Sequence, residues 1–410
     1  MAFFLLCIAV FIMFFQPTSV FPELVPYSPL KNSAIIAFIA YIPAANKSDI
    51  PFFENKINRY FLGFVLMSIM SAAFFWLQAG LEMFNVWLRY GIVYFLIIKS
   101  CTDESRLRKL TLMIVLAIGY LCYYSISNFA LAYEPGVRAS GFGWYENAND
   151  LSLILVSTIP LIFLLAETSR YAIMRYLYIF IAAAFSFNVL FTGSRNGLLG
   201  LAGVGILSIV STRRFSKGIK TGLLTLLIIS IFTVGIVTVL NREDLSSLGG
   251  DASSEDRKVQ WKAGIRMLIA NPLFGVGPNQ FESVAVDYQG IRGLAPHNTL
   301  VQVFSETGLP GGIFFFLFAC FPLWEALKYI REKRYEDETY PFIFIKYLTI
   351  SLFGFWICAF FSNRDQSYIL YVLIALIVAV SNNLIMAVEH ENAKEDNELD
   401  FHSQNYEVNY

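Results

Sequence analysis

Histidine is scarce in this chain. There are three in 410 residues, and His390 and His402 lie in a polar C-terminal tail. The third, His297, stands in Ala295-Pro296-His297-Asn298-Thr299, just ahead of an apolar helical pattern. A helix N-terminus favours anions and disfavours an imidazolium. Both effects suit a neutral histidine acting as general base beside a phosphate. The plainer reading of a lone loop histidine is an ordinary polar contact. Several arginines stand in similarly unusual places. Arg195, in Thr192-Gly-Ser-Arg195-Asn-Gly, follows an apolar run that holds no acid. Its guanidinium either snorkels to an interface or meets an anion, and its fork geometry matches phosphate oxygens. Arg257 heads a stripe with Trp261, Ile265 and Leu268, at spacings that place all four on one helix face. An inward-facing arginine needs an anion, and Asp251, Glu255 and Asp256 are the structural alternatives to a ligand. Arg138 opens a loop with Gly141, Trp144, Tyr145, Asn147 and Asn149, and Arg364 sits in Ser362-Asn-Arg364-Asp365-Gln.

The elements that must position these residues are legible around them. Ser253-Ser-Glu-Asp256 is a capping-box pattern that predicts a helix start, and Asn271-Pro272 predicts its end. Lys258, Lys262 and Arg266 form a basic stripe beside the apolar one, so this helix over 256–270 is expected to be amphipathic and to lie on a membrane surface or a bundle mouth. Gly275-Val-Gly277-Pro marks a tight turn, a weak signal by itself. After His297 a short helix carries Leu300, Val303, Phe304 and Thr307 on one face, with Gly308 as its stop. Glu282, Asp287 and Glu306 are near enough in sequence to hold a hard cation, but no spacing demands one, and no metal site is assigned.

Composition says where all this happens. Hydrophobic residues make up 56% of the chain and charged ones 15%, against about 25% in soluble domains. A water-soluble globule, a disordered chain and a disulfide scaffold are excluded. A net charge of −1 argues against a nucleic-acid partner. The apolar residues fall in blocks, at roughly 2–15, 32–45, 60–78, 83–98, 110–133, 150–166, 171–192, 196–211, 219–240, 309–328, 342–361 and 367–388. They are apolar all round, as buried or lipid-facing helices are, and lack the alternation of barrel strands. The expected fold is therefore all-α, a polytopic membrane protein of about 12 transmembrane helices. The first two blocks are short for a bilayer core of about 30 Å and read as half-spans or a re-entrant pair. No basic n-region or cleavage site marks the first as a signal peptide.

Alternate loops concentrate seventeen Lys and Arg, for example Arg106, Arg108 and Lys109, or Arg213, Arg214, Lys217 and Lys220. The short loops on the other side offer only Lys31, Arg138, Arg195 and Arg364. Basic loops mark the cytoplasm. Both termini are thus expected inside, with a long loop, 241–308, outside. The layout becomes nine helices over 1–240, the long outer loop, three helices over 309–388, and an acidic tail, 389–410, expected to be disordered. All five cysteines fall in blocks or at the basic side, which leaves no disulfide framework on the outer face. The four arginine- or histidine-bearing features all fall on that outer face.

These residues resemble a known family. His297-Asn298, nine residues, then Gly308-Leu-Pro-Gly311 is similar to the H-[NSQ]-x9-G-x-x-G signature of the bacterial O-antigen ligase and O-antigen polymerase superfamily. Arg257, Trp261 and Pro272-Leu-Phe-Gly275-Val-Gly277 resemble its R-x3-W…P-x2-G-x-G stretch. The turn at Arg195 and the Arg138…Gly141…Asn147-Ala-Asn149 loop resemble two further motifs. The resemblance spans roughly 135–312 and does not separate the superfamily's members. It implies a GT-C-like membrane glycosyltransferase whose periplasmic loop is catalytic. The implied donor is a glycan on undecaprenyl diphosphate, and the acceptor a glycan, lipid or protein hydroxyl. The implied reaction is metal-independent inversion at the anomeric carbon with no cofactor, in the bacterial inner membrane. His297 would then be the base, and Arg195, Arg257 and Arg138 would stabilise the leaving diphosphate. Asn298, Trp261 and Asn149 would hold substrate. Two other readings stand beside it: a protein O-oligosaccharyltransferase of the same superfamily, and a polysaccharide or lipid flippase. A flippase predicts ionisable residues at mid-membrane in several helices, where this chain offers only Arg89 and Lys346.

Overall fold

A segment in hydrocarbon must satisfy its own backbone hydrogen bonds, which leaves an apolar block little choice but to coil. The computed structural model of the chain describes residues 1–45, 50–131, 138–240, 254–332 and 339–386. The acidic tail and loop residues 241–253, which include Asp251 and the expected cap at Ser253, lie outside those residues. Each of the twelve apolar blocks falls on a helix: α1 (Ala2–Phe15), α2 (Pro29–Tyr41), α3 (Lys56–Phe75), α4 (Leu77–Ser100), α5 (Glu104–Leu131), α6 (Ala148–Glu167), α7 (Ala172–Phe191), α8 (Arg195–Ser211), α9 (Lys217–Leu240), α11 (Thr299–Glu332), α12 (Tyr340–Ala359) and α13 (Tyr368–Met386). The remaining long helix, α10 (Ser254–Ala270), is polar and precedes α11. Among the described residues there is no strand. Eight helices among those residues (α3–α7 and α11–α13) are long and apolar enough to cross a membrane. Helices α1 and α2, at 14 and 13 residues, reach only about 20 Å each. They pack on one another, α1 also against α5 and α2 against α4.

Helix α6 is the axis. It packs against α5, α7, α8 and α12, and nearly every one of its residues is buried, from Ala148 to Glu167. Helix α12 runs antiparallel to it. Asp150 at the start of α6 meets Arg364 just after α12, and Glu167 at its end meets Lys346 near the start of α12. Helix α13 is the other buried span, and its Tyr371 packs among Phe61, Trp87, Tyr90 and Phe318. Helix α7 lies at the opposite extreme. It exposes Tyr171, Ile173, Tyr176, Phe180 and Phe187, a face of the composition that lipid would cover.

The expected stop at Gly308 is a break inside α11. Gly308 has φ +74°, outside the helical region, so the chain turns between a short helix ending at Thr307 and the long one that follows. The break frees the carbonyls of Ser305 and Glu306, and the Asn271–Gly277 turn takes them. Val276 N–H donates to Ser305 O (2.9 Å), Gly277 N–H to Glu306 O (3.0 Å), and Leu309 N–H returns to Pro272 O (2.8 Å). Gly275, at φ +64°, lies so close to the Glu306 carbonyl that any side chain would collide with it. The glycines of the two motifs are therefore two halves of one joint.

Candidate active site

The His297 stretch is held from both sides. Asn298 heads α11: its side-chain oxygen accepts the Val301 N–H at 2.9 Å, an N-cap. Its amide donates to Phe360 O (3.0 Å), and its backbone N–H donates to the Asn363 side chain (3.1 Å). On the other side the Trp261 indole N–H donates to Pro296 O at 2.8 Å, and the Trp261 ring meets Phe360 edge-on at 6.0 Å. Between these anchors His297 is half-buried and adopts a left-handed backbone conformation, φ +47°. That is an uncommon state for a residue with a Cβ, tolerated better by histidine than by most.

Helix α10 supplies Trp261 and, one turn earlier, Arg257. The expected helix forms and ends at Asn271-Pro272, but its buried face is not the expected stripe. Gln260, Ala263, Gly264 and Met267 face inward, while Ile265 is exposed. The reason is local. Gln260 binds the following loop through Ile291 N–H (2.9 Å), Ile291 O (3.0 Å) and Leu294 O. Gly264 lets Phe281 and Val301 approach. A buried amide that satisfies three backbone groups outranks an apolar face that lipid or water can meet. Arg257 and Trp261 then flank the buried face. Glu255, one alternative partner for Arg257, pairs with Lys258 (2.7 Å). The Arg257 Nε is buried without a hydrogen-bond partner.

Arg138 and Asn149 form a second group. Arg138 Nε donates to Thr192 O (2.7 Å), and its terminal nitrogen donates to Asn149 Oδ1 (3.1 Å). Ala139 N–H donates to Phe191 O at 3.0 Å, which ties this loop to the end of α7. The turn that follows is as short as expected. Ser194 caps α8 by accepting Gly197 N–H (3.1 Å), and Arg195, its first residue, is exposed. Asn147 caps α6 in the same way through Asn149 N–H (2.8 Å).

The segment 360–367 between α12 and α13 joins the two groups. Thr299 Oγ1 lies 2.7 Å from Ser362 O and accepts the Arg364 N–H at 3.0 Å. The Arg364 guanidinium makes a two-pronged pair with Asp150, one bond at 2.6 Å. Asn196 reaches Phe361 O (3.4 Å). A continuous path of contacts thus runs from Arg138 through Asn149, Asp150, Arg364 and Thr299 to Asn298 and His297. On its flank Trp144 stacks on Tyr368 at 5.2 Å, and Gln16, at the end of α1, accepts the Trp144 N–H (3.1 Å). Burial pushes the Tyr145 hydroxyl up and the Asp365 carboxyl up to about 6, the latter despite neighbouring Arg364. The same burial lowers Arg364 to about 10, still charged at neutral pH.

Sequence reasoning grouped Arg364 with the Arg138 and His297 stretches, and the structure brings them to one end of the bundle, but that reasoning left out Arg364's partner. Asp150 and Thr299 carry the junction, and both hid inside apolar helical patterns. The signal for Asp150 was its place in the first turn of a helix otherwise almost free of charge. Two expected contacts look different in place. Asn298 spends its side chain on the cap and on α12, and Trp261 spends its N–H on Pro296.

Among the described residues, an all-helical architecture with eight membrane-capable helices and a charged, hydrogen-bonded junction at one end of the bundle marks a multi-pass membrane protein with a terminal polar site. Residues 177–316, about a third of the chain, match the O-antigen ligase family model, which supports the resemblance to the O-antigen ligase and polymerase superfamily over that stretch. The match takes in Arg195, α10 and His297–Gly311 and ends inside α11. No curated protein matches the chain.

Proposed function

We propose that the protein is a glycosyltransferase of the bacterial inner membrane that ligates or polymerises glycans at the periplasmic face, within a GT-C-like bundle of twelve spans. The donor is a glycan on undecaprenyl diphosphate, and the acceptor is a hydroxyl of a glycan or lipid. The acceptor oxygen attacks the anomeric carbon, and the bond from that carbon to the diphosphate breaks. His297 takes the hydroxyl proton, and the lipid diphosphate leaves with the electron pair. Charge grows on the leaving diphosphate in the transition state, and fixed guanidinium groups stabilise it there more than in the ground state. Arg257 suits that task because its Nε has no protein partner, and exposed Arg195 because it opens α8 with its side chain accessible. Arg138 and Asn149 shape the adjoining wall, and Trp261 and Asn298 hold the base in place.

The observation that carries this reading is His297 itself. It sits at φ +47° between two locked neighbours at the head of α11, tied through Pro296 to α10, which carries an arginine with a buried, unpartnered Nε. Strain of this kind persists where the surroundings over-determine it, and it gathers at functional sites. The test is transfer by purified protein from a polyprenyl-diphosphate glycan, with release of the lipid diphosphate as readout. His297→Ala folded as wild type and fully active would sink the base. Lipid-linked glycan flipped across liposomes without any transfer would replace the enzyme by a flippase. Surface glycans of a deletion strain separate the two activities: single repeats in place of long chains mark a polymerase, and finished polymer left on the carrier marks a ligase.

A further inference from the structure

At the end of the bundle away from His297, a cavity of about 560 Å³ opens between α5, α6 and α7. Arg108 and Lys109 line it from α5, Leu165 and Arg170 from the end of α6, and Tyr178 from α7. Asp103 and Glu104 also line it, with Asp103 held by Arg106 (3.3 Å). The Arg108 Nε is buried without a hydrogen-bond partner. Arg175, one turn before Tyr178 on α7, has a buried and unpartnered Nε as well. Burying a guanidinium nitrogen with nothing to receive its N–H is costly, and a phosphate oxygen is the acceptor whose charge and geometry relieve that cost. The volume is that of a small-ligand site. Its walls are mixed: Arg108, Lys109 and Arg170 supply cations, and Leu112, Leu165 and Tyr178 supply apolar surface. A free anion needs only the cations. An amphiphile with a phosphate head and acyl chains uses both. Basic pockets between spanning helices are suited to anionic headgroups in general.

We propose that this cavity seats the phosphate headgroup of an anionic phospholipid, with its acyl chains against α5 and α7. The site lies at the far end of α5–α7 from the proposed catalytic centre, so it stands whether or not the glycosyltransferase reading does.

The experiment is native mass spectrometry of the detergent-purified full chain, titrated with phosphatidylglycerol, with phosphatidylcholine, and with inorganic phosphate or pyrophosphate alone. One phosphatidylglycerol is expected to be retained at concentrations at least about tenfold below those needed for phosphatidylcholine, the discrimination that one charge-assisted contact supplies. Arg108→Ala with Arg170→Ala is expected to erase that difference. Leu112→Phe keeps every charge and fills the cavity, and it is expected to erase the difference too. Equal retention of the two lipids by wild type overturns the site. Wild-type retention in Leu112→Phe overturns it as well, because the basic surface alone would then be sufficient. Retention of inorganic phosphate at the same concentrations, lost in the arginine variant, assigns the cavity to a soluble anion and overturns the lipid.

Discussion

The two ends of α6 each bury a carboxylate, and they treat it differently. At the far end Glu167 lies 2.5 Å from the Tyr347 hydroxyl and 3.5 Å from Lys346, whose ammonium also reaches Ser211 O at 3.1 Å. The Lys346 and Glu167 side chains are 11% and 3% exposed, so the charges are shut in by α8 and α12. At the site end Asp150 pairs with Arg364, but that arginine keeps 27% of its side chain exposed. It sits in the 360–367 segment between α12 and α13, and nearby the Arg257 Nε is buried without a hydrogen-bond partner. A saturated buried ion pair joins helices and can do little else. A pair at the rim, backed by an arginine whose Nε has no partner, can hold loops in register and still offer charge to a ligand. The lesson is that a lone charge in an apolar sequence announces a contact without announcing its purpose. Purpose is read from what remains unsatisfied.

Four experiments would break or sharpen that contrast. His297→Ala should lower transfer by about 10²- to 10⁴-fold, the usual worth of a general base, with an unchanged thermal midpoint in detergent. Glu167→Ala, at the closed end, should cost about 3–5 kcal/mol of stability, since it strands Lys346 in the interior. Transfer per folded molecule should stay within about twofold. If that variant lost activity without losing stability, the division between the two ends would fail. Arg257→Ala should do the opposite, lowering transfer by about 10- to 10³-fold, as loss of one transition-state donor does, with little change in midpoint. The smallest effect concerns Asp365. Its folded carboxyl titrates near 6 against an ordinary value of 3.8, so between those values the folded state holds the extra proton. Stability should therefore be greatest below about pH 4 and fall as pH rises through 6, by about 1 kcal/mol for a partly exposed group. Asp365→Asn should flatten that slope in a pH series of thermal melts.

Much of the polar site was legible because its residues break local expectation. An arginine just after a three-residue turn between apolar runs, a histidine before an apolar helix and glycines at fixed offsets are all conspicuous in one dimension. The same logic misjudged α10. Its apolar stripe pointed at Trp261 and Ile265, yet Gln260 took the inward position because the 291–294 loop offered it three backbone partners. Periodicity ranks faces by apolarity and has no view of what will pack against them. Asn298 shows the same limit. Its place beside His297 suggested a substrate contact, but its side chain is spent on a local cap at Val301 and on Phe360, 62 residues away.

What the sequence determined by itself is the set of helices and the places where they break. Hydrocarbon leaves an apolar block no other way to satisfy its backbone, and Gly308 and Asn271-Pro272 interrupt helices through local geometry alone. What only the tertiary structure decided is which charges meet. Arg364 finds Asp150 across 214 residues, and Lys346 finds Glu167 across 179. These pairings follow from α6 and α12 lying antiparallel, an outcome of packing among many apolar faces of similar strength. No local pattern encodes it, because each face would pack almost as well against several others.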